Sequence, residues 1–211
     1  MKISCINGIH TDPRTNKTND LLIDSTVYVG VEIEVEGLEN YGACPFLSNY
    51  WIKKKDGSLR NYGAEFVTGM EFEGRYVPIR GDDLIVALKD WERWVDHYTL
   101  SVGDPPEVGH RTSNHIHIDV RDLDKEDIDR FILLWTVFEP SLFTMMHKSR
   151  QNNINCLPFF NNVSMRRRIG KLIHSKSPGE IKNILIHSPK YEAMNIRAIM
   201  NFGSIEFRIH H

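Results

Sequence analysis

Residues 27–36 read VYVGVEIEVE and alternate strictly, with Val31, Ile33 and Val35 on one face and Glu32, Glu34 and Glu36 on the other. A period of two belongs to a β-strand that lays one face on a core, so this segment is expected to be a half-buried strand. The same alternation returns in residues 115–120 (HIHIDV) and 204–210 (SIEFRIH), and residues 63–68 (GAEFVT) read as a further strand. Between them the period changes to 3.6. Residues 82–98 place Leu84, Ile85, Leu88, Trp91 and Val95 on one helical face, with Asp82 or Asp83 as the expected N-cap. Asp124 is expected to cap a helix reaching about Met146, and residues 178–187 a shorter helix with Pro178 near its start. Residues 55–57 read as a turn, and residues 10–20 (HTDPRTNKTND) as a polar, irregular approach within an N-terminal segment 1–26. The order β, β, α, β, α, α, β predicts an α+β fold with mostly antiparallel strands. With 211 residues, no repeat, no low-complexity tract and no dividing linker, a single domain over 1–211 is expected.

Charge narrows the function classes. The formal net charge is −2, which gives no bulk attraction to nucleic acid or to an anionic membrane. Locally the balance breaks. Residues 147–179 hold seven Lys or Arg and no Asp or Glu, whereas residues 31–39 hold four Glu and no base. An acidic strand set against a basic segment suits a metal ion beside an anion. Cys5, Cys44 and Cys156 are too few and too scattered for a disulfide framework or a CxxC zinc site. The first 19 residues lack the apolar core of a signal peptide, and the longest apolar run, residues 131–138, is far short of a membrane span. A soluble, cytoplasmic protein is expected.

Three strands carry chemistry at alternate positions. Glu32 and Glu34 share a face about 6–7 Å apart, either as a solvated edge or as like charges held together by a cation. His115 and His117 repeat this spacing, which suits either an exposed face or one metal ion. Glu206 and Arg208 are either a surface ion pair or a metal ligand beside a phosphate-binding fork. Taken together, Glu and His ligands on several strands suit Mg²⁺ or Mn²⁺. Arg150 and residues 166–168 would then offer counter-charges for a nucleotide triphosphate.

In order along the chain, GVEIEVE, DGSL at Asp56–Leu59, GAEFVT, NHIHIDV, SR at Ser149–Arg150, YEAMN and GSIEFR resemble the blocks of the amidoligase family often carried by phages and mobile elements. That family sits in the glutamine synthetase and glutamate–cysteine ligase superfamily, and the resemblance runs from about Gly30 to Arg208. It implies a glutamine synthetase-like fold, a curved, mainly antiparallel sheet with helices on its outer face, and a concave face that holds ATP and divalent ions. By resemblance Glu32, Glu34, Glu65 and Glu206 are metal ligands. His115 or His117 contacts metal or ATP phosphate, and Arg208 steadies the transferred phosphoryl group. Arg150 matches an arginine ahead of a polar stretch, and Asp56 helps receive the attacking amine; from the basic stretch itself, Arg168 is a further expected phosphate contact. The family pattern continues past the EFR strand with a glycine-rich turn and a helix, where this sequence ends at His211. A short form, a subunit contact that closes the site, and a fold kept without catalysis are all open.

The implied reaction joins a small-molecule or peptide carboxylate to an amine. ATP activates the carboxylate as an acyl phosphate, metal ions neutralise charge on the phosphates, and the amine displaces phosphate. Two rivals stand beside it: a metal-dependent hydrolase that needs no ATP, and a catalytically inactive structural or interaction protein. No nucleic acid or membrane partner is expected, and a homo-oligomer is allowed.

Overall fold

The computed structural model describes residues 1–3, 27–38, 50–68, 71–72, 75–76 and 79–210. The expectation for residues 10–20, and the positions of Cys5 and Cys44, fall outside them. The chain divides into two compact units, one within Asp12–Ile116 and one formed from Met1–Thr11 with His117–His210. We call them the first and second unit. Both mix helices with strands, as the α+β expectation requires.

The first unit contains β1 (Val29–Val35), β2 (Trp51–Lys55), β3 (Ala64–Thr68) and the helix α1 (Asp82–Val102). A two-residue hairpin pair, β4 (Glu71–Phe72) and β5 (Arg75–Tyr76), lies between β3 and α1 in the chain. β3 pairs antiparallel with β1 on one side and β2 on the other. Next to β1 comes β6 (Asn114–Asp119), whose first half belongs to this unit. Residues 55–57 are not all turn, because β2 runs through Lys55 and the turn falls at Gly57 and Ser58. Three successive lysine-bearing positions hid this strand from a pattern search.

One face of this sheet makes the core. Ile33 and Val35 of β1, Ala64 and Phe66 of β3 and Trp51 of β2 pack with Ala87, Trp94 and Tyr98 of α1. Aromatic rings dominate. Trp91 stacks on Trp94 at 4.8 Å between centroids, and Phe66 meets Trp94 at 4.9 Å. The helix is rotated from the expected setting. Its buried positions are Asp83, Ala87, Asp90, Trp94 and Tyr98, while Leu88 is 42% exposed. The cause is a polar anchor: Tyr50 Oη donates to Asp83 Oδ1 at 2.6 Å. That bond, with burial, pushes the Tyr50 hydroxyl up to about 12. Neither Asp82 nor Asp83 is the N-cap. Gly81 is, with φ 57, and Gly103 ends the helix at φ 96, donating its N–H to the Thr99 carbonyl.

The second unit holds the rest of β6, then β8 (Ser204–His210) and β7 (Met194–Asn195) as successive neighbours. Its helices are α2 (Lys125–Met145), α3 (Lys148–Gln151), α4 (Val163–His174), α5 (Pro178–Ile186) and α6 (Ala198–Phe202). α2 begins where expected, with Asp124 as N-cap and the Asp124 N–H donating to Asp127 Oδ2 at 3.4 Å. Pro178 occupies the first turn of α5, also as expected. Ile128, Ile132, Trp135 and Phe143 of α2 are buried, as are Met165, Ile169 and Leu172 of α4. Trp135 meets Phe207 of β8 at 5.0 Å. Among the described residues, no helix is long and apolar enough to cross a membrane.

Candidate functional site

In the first unit the pairing of β1 with β3 sets Glu34 directly across from Glu65, with Glu32 two residues along the same strand. Residues directly opposite, and residues two apart, share a sheet face. Three carboxylates therefore occupy one side of β1 and β3, opposite the side that holds Ile33 and Val35. Of the two alternatives, a solvated edge is not what results, because β1 lies within the sheet and Glu34 is only 8% exposed. Burial, then Glu32 and Glu34, push the Glu65 carboxyl up to about 8, against Lys54 across on β2. Asp56 also raises it, so the DGS turn belongs to the same field. Asp56 Oδ1 accepts the Ser58 N–H at 2.7 Å, and the turn returns to β3 through Asn61 (φ 49) and Tyr62 (φ 58). Two consecutive non-glycine residues in the left-handed region are a strained approach to a strand.

β6 completes this cluster. Ser113 Oγ lies 2.6 Å from Glu34 Oε2 and 2.6 Å from His115 Nε2, and His115 Nδ1 lies 2.8 Å from Glu32 Oε2. The order is Glu34, Ser113, His115, Glu32. Ser113 thus ties Glu34 to His115, and His115 ties on to Glu32, in one hydrogen-bonded chain. The resemblance to metal ligands thus falls on Glu32, Glu34, Glu65 and His115 as one group.

In the second unit, Glu206 is 5% exposed on β8 and pairs with Arg208. Its Oε2 accepts Asn195 Nδ2 of β7 at 2.5 Å. Arg208 Nε donates to the Asn155 carbonyl at 3.0 Å. His117 Nδ1 lies 2.9 Å from Ser204 Oγ, and its ring meets Phe202 edge-on at 5.5 Å. Arg150, 2% exposed, donates Nε to the His210 carbonyl at 3.0 Å and so holds the end of β8. Arg168 lies elsewhere. Its guanidinium donates to the His187 carbonyl, and with Arg167 and Lys171 it lines a cavity of about 600 Å³ between α4 and α5. Metal-competent side chains are present in both units, Glu32 in the first and His117 and Glu206 in the second.

Sequence reasoning missed a second carboxyl pair. Glu139 and Glu192 are both 0% exposed. Glu139 accepts Trp135 Nε1 and the Phe160 N–H, each at 2.9 Å. Glu192 Oε1 accepts Asn162 Nδ2 at 3.0 Å, and its Oε2 has no hydrogen-bond partner among the described residues. Burial raises both carboxyls, Glu192 to about 7, and Glu139 adds to the rise at Glu192. The two lie 53 positions apart, and no local pattern marks either. Nearby Cys156 is buried, which pushes its thiol up to about 11 and leaves it a poor nucleophile.

No family model, no curated protein and no solved structure matches this chain.

Proposed function

We propose that the chain is an ATP- and divalent metal-dependent ligase that joins a carboxylate to an amine. The observation that carries this reading is the register that sets Glu34 across from Glu65 beside Glu32, with His115 bonded to Glu32. Carboxylate oxygens are the donors that Mg²⁺ and Mn²⁺ prefer, and like charges packed on one buried face cost free energy until a cation joins them. Glu32, Glu34 and Glu65 would hold such an ion. When bound, it supplies charge neutralisation on phosphate oxygens.

The remaining roles follow from the chain's own groups and from the resemblance. Asp56, in its turn beside Glu65, attracts the amine as an ammonium ion and takes up its proton as it attacks. Arg208 offers a planar fork for a phosphoryl group, and its pairing with Glu206 and the Asn155 carbonyl orients that fork before substrate arrives. Glu206 and His117 are assigned to metal or phosphate. Arg168, with Arg167 and Lys171, gives its groove a basic lining suited to phosphate. Oxygen donors with a buried histidine also fit the reading better than a thiolate site would.

One observation favours a second reading, a non-catalytic protein of the same fold. Glu32, Glu34, Glu206 and Arg208 all have protein partners, so the polar groups are internally satisfied. One experiment separates the two. ATP consumption is measured with a panel of carboxylates and amines at millimolar Mg²⁺ or Mn²⁺, alongside thermal scans. The ligase reading requires phosphate release that depends on both substrates, together with a melting temperature raised by metal and ATP but not by EDTA and ATP. Stability indifferent to metal, with no ATP turnover, selects the non-catalytic protein. Hydrolysis that needs metal but no ATP selects the hydrolase.

A further inference from the structure

We infer that the groove between α4 and α5 is a binding site of its own, for a small sugar-like molecule that carries one phosphomonoester group. Both helices belong to the second unit. The cavity of about 600 Å³ lies within the range of about 300–1,000 Å³ that small ligands occupy. From α4 it takes Arg167 and Lys171, one turn apart, with Arg168 beside them. From α5 and its C-cap it takes Glu180, Asn183 and His187, whose spacings of three and four put them on one helical face.

Charge selects the phosphate. None of the three cations belongs to an ion pair among the described residues. Like charges one turn apart on a helix repel, and an anion between Arg167 and Lys171 removes that repulsion. Arg168 is oriented in advance, because its guanidinium donates to the His187 carbonyl. Three cations set against Glu180 leave two positive charges in the lining. A phosphomonoester carries close to two negative charges at pH 7 and matches them. A phosphodiester, with one, leaves a cation unanswered.

The rest of the lining selects hydroxyls. Glu180 Oε2 accepts Ser175 Oγ at 2.7 Å, which fixes the carboxylate in the groove wall. His187 Nδ1 donates to the Asn183 carbonyl at 2.8 Å, so the neutral ring keeps Nε2 as an acceptor. Carboxylate, amide and imidazole acceptors suit the hydroxyls of a sugar, and Ile184 offers an apolar surface to its ring carbons. A carboxylate in the wall repels a continuous phosphate backbone, which makes nucleic acid the poorer fit. The groove has no cluster of carboxylates, so its ligand needs no divalent metal and the site does not depend on the ligase reading.

Isothermal titration calorimetry on the full chain in EDTA tests the inference. Ribose 5-phosphate should bind with a dissociation constant below about 1 mM, and ribose should not bind. AMP, run beside it, distinguishes a nucleoside monophosphate from a bare sugar phosphate, and either one upholds the proposal. Arg167→Glu and Lys171→Glu should each weaken binding by about 10-fold or more, since each removes a charge-assisted bond and adds a repulsion. Both side chains are exposed, so circular dichroism and melting of the variants should match those of the parent chain. Glu180→Gln should weaken ribose 5-phosphate while leaving inorganic phosphate as tight or tighter. Absence of binding up to about 10 mM overturns the proposal. So does binding that survives both charge reversals, or that needs Mg²⁺ and therefore belongs to the carboxylates. Preference for a single-stranded oligonucleotide over ribose 5-phosphate overturns it as well.

Discussion

Replacing Glu192 with glutamine should flatten the dependence of stability on pH in the second unit. In the folded protein the Glu192 carboxyl is held up to about 7, against an ordinary value of 4.5. The folded state therefore keeps a proton that the unfolded chain has already released. Its contribution to stability is complete below pH 4.5 and is lost as the pH rises through about 7. The interval between 4.5 and about 7 corresponds to about 3 kcal/mol, taking about 1.4 kcal/mol per decade. Glutamine has nearly the shape of the protonated acid and carries no charge. Its carbonyl can still accept Asn162 Nδ2, the bond that fixes the Asn162 side chain while Asn162 Oδ1 caps α4 through the Met165 N–H. Its amide nitrogen would lie where Oε2 now has no partner, so the two proteins should match within about 1 kcal/mol at acid pH. Near pH 8 the variant should then be the more stable by about 2–3 kcal/mol. Urea unfolding followed by circular dichroism at steps from about pH 5 to about pH 8 reads this directly. Glu139 is raised by the same burial and lies in the field of Glu192, so the difference curve reports the loss of Glu192 from this pair. A difference that stays constant across that range refutes the reasoning.

Other substitutions probe the rest of the molecule. Arg208→Lys keeps the charge but loses the fork, so turnover should fall by about 100-fold with metal affinity little changed. Glu34→Gln should instead raise the metal concentration needed, with activity partly recovered at high Mg²⁺. One shared metal-dependence curve for both variants would make Arg208 a mere partner of the carboxylates. Trp94→Ala, in the aromatic core of the first unit, should cost about 3–5 kcal/mol in denaturant unfolding, and a loss under about 1 kcal/mol would contradict the packing. Gly203 has φ 69 and an added Cβ would lie 2.5 Å from Arg121, whereas Gly103 has φ 96 and open space. Gly203→Ala should therefore lower the melting temperature clearly more than Gly103→Ala, since only the former adds a clash to the strain.

The sequence spoke most clearly where a period of two or 3.6 ran without interruption. β1, β6 and β8 lie where VEIEVE, HIHID and SIEFRIH alternate, and α2 and α5 start beside Asp124 and Pro178. Legibility failed where tertiary bonds overrode pattern. α1 turned its aspartates inward because Tyr50 reaches Asp83, and β2 was obscured by lysines. In α4 the arginines 166–168 masked the buried spacing of Met165, Ile169 and Leu172. At the site, alternation put Glu32 and Glu34 on one face, and the register of β1 with β3 brings Glu65 to it. Burial of Glu34 and the link through Ser113 are products of neighbouring strands, and no single segment encodes them. The Glu139 and Glu192 pair was invisible for the same reason.

The tryptophans are distributed so that light can report on the units one at a time. Trp51, Trp91 and Trp94 lie together in the first unit, with Trp91 and Trp94 nearly parallel at an interplanar angle of 26°. Two indoles so close and so oriented couple their transitions, which gives an exciton signal in circular dichroism that disappears when either ring moves away. Trp135 belongs to the second unit, its Nε1 donating to Glu139. Its emission should shift with the ionisation of that carboxyl. Replacing Trp135 with phenylalanine would leave tryptophan fluorescence that belongs to the first unit alone, so that melting of that unit could be followed by itself in the intact chain.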